Sequence, residues 1–264
     1  MREMPELSFD IIKRMEDMSW FTYAQIFDDL LIVAQKETCC YVWKTSSGLI
    51  IFDGIWPNKR VYDTIMKAIV EAGWENEKII AFFMTHGHID HVGCGKWLVE
   101  NHDVTTYLSK QDDVLRLEKA PEEGHLDLWK EFHISQYITD GDILNFGEKQ
   151  VRVVATPGHT AGCMSFIFPV REGLKKHVAG LFGGATAPWN DSAGKSIQLQ
   201  SVEKFKRIAR ECHVDVALTN HTVFDSGLER IAYSNNRMRH LPNIYILGED
   251  GVQTFCDVYR KVAE

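Results

Sequence analysis

The sequence predicts an α/β protein built in stacked layers, with sheets inside and helices outside. Short runs of β-branched and aromatic residues alternate with helical patterns along the chain. Strand-rich stretches occur in both halves. One run, Lys78 to Met84 (KIIAFFM), is continuously apolar after its first residue, as a strand covered on both faces requires.

The elements follow in order. Residues 30–34, 39–45 and 48–53 read as three successive strands bounded by polar turns. A helix is expected at 58–72, because Val61, Ile65, Ala68 and Ile69 share one face and Gly73 stands where a C-terminal cap belongs. The buried strand at 78–84 is followed by a helix at 92–100, a strand at 104–108 and a helix at 110–118. Further strands are expected at 149–155, 163–169 and 178–183. A helix at 201–212, a strand at 214–219 and a helix at 249–262 complete the pattern. Residues 119–138 are the least regular and are read as a lid. Without a repeat or a linker rich in Pro, Gly or Ser, residues 1–264 are read as one domain.

Composition narrows the function classes. Hydrophobic residues make up 45% of the 264, enough for a sizeable core. Net charge is −8 and no basic run stands out, so a nucleic-acid partner is not expected. Met1 to Phe9 mixes charges with a proline and lacks the apolar core of a secretory signal. No stretch approaches the roughly 18 apolar residues of a membrane span. The expectation is therefore a cytoplasmic protein without a membrane partner; the sequence leaves its oligomeric state open. Cysteines 39, 40, 94, 163, 212 and 256 form no C-x-x-C pair and are read as reduced, buried small hydrophobes.

The chemistry lies in Thr85-His86-Gly87-His88-Ile89-Asp90-His91, directly after the buried strand. Side chains alternate along a strand, so these four ligand-type residues converge only if the strand ends there. Gly87 permits the turn. A lone histidine would read as an exposed turn residue, but His-x-His-x-Asp-His in this position reads as a metal site. Imidazole and carboxylate donors suit Zn²⁺, with Fe²⁺ or Mn²⁺ as alternatives.

The segment resembles the hallmark motif of the metallo-β-lactamase superfamily. Thr156-Pro157-Gly158-His159-Thr160 resembles the family's second motif, and Gly48 to Gly54 the strand ending in an Asp, here Asp53, that buttresses the metal loop. Val214 to His221 resembles the strand and terminal histidine of the second site. The likeness extends over nearly all of the chain from about residue 25, and it implies a four-layer αββα sandwich, the metallo-β-lactamase fold. One departure stands out. Most members carry a metal-bridging Asp after the strand that follows the second motif, whereas this chain has Leu181-Phe182-Gly183-Gly184-Ala185-Thr186, and Asp191 comes several residues too late. The same absence marks the lactamase subclass that holds its second zinc by Asp, His and a late His.

By that resemblance His86, His88 and His159 hold the first metal, and Asp90, His91 and His221 the second. Three protein ligands per ion leave open positions, the mark of a catalytic zinc site. The second site, without the bridge, is expected to be weaker. The rival late ligand, His213, precedes the strand by contrast with His221 and should lie roughly 20–25 Å from it at about 3.3 Å per residue. The other histidines, 102, 125, 133, 177 and 240, are read as surface or core residues, with His125 and His133 of interest only as part of the lid.

The implied activity is hydrolysis by two Zn²⁺ ions of a small activated acyl bond: a lactam, lactone or ester. Asp90 would serve as ligand and proton shuttle. The alternative is a thioesterase or phosphodiesterase of the same fold. Di-iron oxidoreductases of this fold usually carry Glu in place of His88, which disfavours that branch. Thr160 and Asn220 flank ligands and read equally as substrate contacts or as structural turn residues. Trp129, Phe132 and Trp189 read equally as an apolar substrate face or as core.

Overall fold

In chain order the strands are β1 (Thr22–Phe27), β2 (Leu30–Ala34), β3 (Cys39–Thr45), β4 (Gly48–Phe52), β5 (Ile79–Phe83), β6 (Thr105–Leu108), β7 (Gln136–Tyr137), β8 (Ile143–Phe146), β9 (Lys149–Ala155), β10 (Met164–Glu172), β11 (Lys175–Phe182) and β12 (Val216–Thr219). The helices are α1 (Lys59–Glu71), α2 (Ile89–Val92), α3 (Gly95–Asn101), α4 (Lys110–Lys119), α5 (Ser192–Glu211), α6 (Gly227–Asn236) and α7 (Gly248–Ala263). The structure, a computed structural model, describes residues 14, 17–119, 132–186, 191–238 and 240–264.

β1 to β4 form an antiparallel meander, to which β5, β6 and β7 add in parallel. The second sheet runs β12-β11-β10-β9-β8, antiparallel except between β11 and β12. Strand alternation assigns the layers. Leu30, Ile32 and Ala34 of β2 and Ile50 and Phe52 of β4 face the second sheet, while Leu31, Val33, Leu49 and Ile51 face outward. Against that outer face α1 lays Val61, Ile65, Ala68 and Ile69. Behind the second sheet, Val202, Phe205 and Ala209 of α5 pack with Val252, Cys256 and Tyr259 of α7. The result is the αββα sandwich the sequence implied. Phe52 joins its sheets: its ring stacks on Phe168 at 4.6 Å and meets Phe83 and Phe166 at 5.5 and 5.4 Å. Burying such a side chain contributes about 1.5–3 kcal/mol.

Several expected boundaries shift, each for a physical reason. The helix read at 92–100 is two helices, α2 and α3. Between them the Gly93 and Cys94 N–H groups leave the helical ladder and bond to Ile55 and Gly54 carbonyls at 3.0 Å, and a Cβ on Gly93 would overlap Ile55. α5 starts at Ser192 rather than near 201 because its first half buries Gly194, Gln198 and Ser201, which show no apolar period. β1, whose register shifts between Gln25 and Phe27, was not foreseen, nor were β8 and α6. α1 matches closely, with Asn58 Oδ1 accepting from Arg60 N and Gly73 at φ +71.

Of the expected lid, 120–131 lies outside the described residues, as do His125, Trp129 and Trp189. Phe132 is buried at 4% exposure, beneath the Arg116 guanidinium, and Gln136–Tyr137 closes the edge of the first sheet against β6. The six cysteines are free; Cys212 is half-buried and the others buried. Among the described residues, no helix is long and apolar enough to cross a membrane.

Candidate metal centre

The site forms where strands of both sheets end. β4 runs into Asp53 and Ile55, both left-handed, at φ +61 and +52. For β-branched Ile55 that conformation is strained, and the surrounding bonds hold it: Gly54 N donates to His91 O at 2.7 Å, and Ile55 O accepts from Gly93 N. Asp53 thereby faces the next strand. Its Oδ1 accepts from Thr85 N at 2.7 Å, and its Oδ2 from Thr85 Oγ1 and His91 Nδ1, each at 2.9 Å.

β5 ends at Phe83 and the chain turns through Thr85 to Gly87. His88 stands at the N-terminus of α2, whose first turn carries Asp90 and His91. β9 delivers His159 through a loop in which Gly158 takes φ +139. β12 delivers His221, which pairs as an isolated bridge with Thr38.

The six residues fall into two groups. One ligand atom each from His86, His88 and His159 lie within 4.8 Å of one another, and so do those of Asp90, His91 and His221. His159 Nε2 and His88 Nδ1 are 3.0 Å apart; His91 Nε2 is 3.2 Å from His221 Nε2 and 3.3 Å from Asp90 Oδ2. The far sides of the rings are already engaged. Thr85 Oγ1 gives its proton to Asp53, so at 3.0 Å it accepts from His86 Nδ1. His159 Nδ1 donates to Thr186 O at 2.8 Å. Each such bond fixes the tautomer that leaves Nε2 as a lone-pair donor facing its group.

The electrostatics agree with this arrangement. Burial, followed by neighbouring imidazoles, pushes His86 well below the ordinary histidine range and His88 to about 3. His159 and His221 fall to about 4 through burial and then the charge of His91. His91 behaves oppositely. Burial opposes its cation, but Asp90 and Asp53 raise it to about 10. Asp90 is held below the usual carboxylate range against burial, by His91 first, then His221 and His88. The second group therefore calls for positive charge, which a proton or a metal ion supplies.

The donor set fits zinc. Buried His86 Nε2 has no hydrogen-bond partner among the described residues, although it faces the other two imidazoles of its group. Two nitrogens on a tetrahedral zinc with bonds of about 2.0–2.1 Å lie roughly 3.4 Å apart, and the 3.0 Å between His88 and His159 and the 3.2 Å between His91 and His221 come close to that.

Thr160 and Asn220 are not poised for substrate. Thr160 Oγ1 donates to Asp112 Oδ2 at 2.6 Å. Asn220 Nδ2 donates to Gly183 O at 2.7 Å, and to Thr85 Oγ1 and Asp53 Oδ2 at 3.1 and 3.2 Å. Their structural reading holds. His213 is exposed and bonds Glu249 at 3.1 Å; His102 pairs with Tyr62, and His177 with Asp215. Two buried residues with a part in the site were missed. Gln198 Oε1 accepts from His159 N at 3.0 Å, and Asp112 bonds both ligand loops. No local sequence signal marks Gln198, since the buried positions around it, Gly194 and Ser201, show no apolar period.

The sequence model of the metallo-beta-lactamase superfamily matches residues 37–174. An uncharacterised protein of Aquifex aeolicus is 29% identical over 170 residues, 56% of this chain and 74% of that one. A hydroxyacylglutathione hydrolase of Crocosphaera subtropica is 34% identical over 110 residues, 41% of this chain and 36% of that one. The chain thus spans little more than a third of that hydrolase's length. Among solved structures, BJP-1, a subclass B3 metallo-beta-lactamase of Bradyrhizobium japonicum, superposes with a TM-score of 0.74 at 23% identity, covering 91% of both chains. FEZ-1 of Legionella gormanii gives 0.75 at 15% identity, covering 92% of this chain and 94% of its own.

Proposed function

The chain belongs to the metallo-beta-lactamase superfamily, and from that membership we propose that it is a dinuclear zinc hydrolase of a small activated acyl bond: a lactam, lactone or ester. The observation that carries this reading is the convergence of six donors into two triads, His86/His88/His159 and Asp90/His91/His221. The second triad forms without a carboxylate from 183–186, as in the subclass the sequence resembles. Zinc, when bound, supplies a Lewis acid and a means of generating a nucleophile at neutral pH.

The chain's own groups do the rest. His86, His88 and His159 present neutral imidazoles, which bind a cation without first losing protons. Asp53 orients His91 through Nδ1. Asp90 Oδ2 faces His91 and His221 at 3.3 and 3.7 Å. In this reading the Asp90 carboxylate also takes the proton of the attacking water and returns it to the leaving group as the acyl bond breaks.

A second reading, hydrolysis of a thioester, is favoured by the relatives named hydroxyacylglutathione hydrolase. Turnover of lactam, lactone, ester and thioester substrates by the zinc-loaded protein, each against its chelated control, decides between them. The leading reading requires zinc-dependent turnover of one of the first three. Exclusive thioester turnover would replace it with the second, and no zinc-dependent turnover of any would overturn both.

A further inference from the structure

The first-site ligands come from two loops far apart in sequence, 86–88 and 159, and something must set their spacing. Asp53 does not reach the second loop; its side-chain partners are Thr85, His91 and Asn220. A different buried carboxylate does. Asp112, in the first turn of α4, is 0% exposed. Its Oδ2 accepts from Gly87 N at 2.9 Å, the amide between the ligands His86 and His88. The same oxygen accepts from Thr160 Oγ1 at 2.6 Å, next to His159, and Oδ1 accepts from Gly162 N at 2.8 Å. The fit is close on both sides. A Cβ on Gly87 would overlap the Asp112 carbonyl, and one on Gly162 would overlap the Asp112 carboxylate and Ser109 Oγ.

We infer that Asp112 is the positioning residue of the first metal site, clasping the His86–His88 turn to the His159 loop. This rests on the metal-site reading above. Asp53 bonds the second-site ligand His91 directly and reaches the first site only at His86, through Thr85, while Asp112 serves the first site from both of its loops, through Gly87 N on one and Thr160 and Gly162 on the other. Three donors converge on Asp112. An asparagine of the same shape offers one acceptor oxygen and turns an N–H toward at least one of them, so the clasp loosens although the volume is kept. An acidic residue merely needed for folding would lower the stability of the metal-free protein without preferring one site.

Single-site backgrounds separate these roles. His221→Ala leaves the first triad whole, and His159→Ala leaves the second. Zinc affinity is measured by competition with a chromophoric chelator, alongside the melting temperature of the metal-free protein. Asp112→Asn should weaken zinc binding roughly tenfold or more in the His221→Ala background, the usual cost of losing a partner behind the ligands. In the His159→Ala background the change should stay below about threefold. Equal weakening in both backgrounds, or none in the first, would overturn the inference even where the wild type holds two zinc ions. If the wild type binds no zinc, the metal-site reading itself fails, and with it this inference. Should Asp112→Asn not fold, Thr160→Val, which removes one donor to the same carboxylate, is judged by the same asymmetry.

Discussion

His91 Nδ1 donates to Asp53 Oδ2 at 2.9 Å, and both side chains are 1% exposed. The bond turns His91 Nε2 toward Asp90 and His221 and ties the end of β4 to the first turn of α2. Asp53→Asn should therefore weaken the second metal by about 10–100-fold. Chelator competition in the His159→Ala background reads this directly, and an unchanged affinity there would remove Asp53 from the site's support.

The late ligand is open to the same logic. His221 lies within the second triad, whereas the His213 side chain is 78% exposed beside Glu249. His221→Ala should lose about one metal equivalent and most turnover, since only two of three ligands remain at that site. His213→Ala should keep full metal content and activity. Full metal content and turnover in His221→Ala would mean that the second site is built from other residues.

The two sites should also differ in hold. No carboxylate from 183–186 joins them, and at the second site a metal must displace the proton that Asp90 and Asp53 favour on His91. Mild chelation should remove the second metal first. Stepwise titration of wild type, compared with the two single-site backgrounds, assigns each step, and loss of the first-site metal ahead of the second would contradict this.

A pH effect is expected away from the ligands. Burial raises Asp225 from 3.8 to about 6, against the pull of Arg230, whose Nη1 lies 2.7 Å from it. Between those values the folded chain holds more of the proton than the unfolded chain. Its contribution to stability is therefore full below 3.8 and lost as pH rises through about 6. From about pH 5 to about pH 7, metal-free wild type should lose about 1 kcal/mol relative to Asp225→Asn. Urea unfolding at both pH values measures this, and a constant gap between the two proteins would refute it.

Much of the site could be read in the sequence because its ligands follow strand ends. His86 to His91 are contiguous, His159 sits in a Pro-Gly turn, and His221 ends the run VDVALTN. The supports could not be read. Asp112 meets Thr160 and Gly162 across 48 and 50 residues, and Gln198 meets His159 across 39, so no local pattern announces either pair. The same holds for the fold. α1 carries its apolar face in its own sequence, whereas the first half of α5 buries Gly194, Gln198 and Ser201, of which Gln198 and Ser201 bond the second ligand loop. Apolar periodicity detects burial in a core and is blind to burial against a polar loop.

The most direct test of the account is the metal content of protein purified without chelator, measured by elemental analysis together with turnover. Two triads predict a value approaching two zinc equivalents per chain, with activity lost on chelation and restored by zinc. A reproducible value near zero in an active preparation would contradict it.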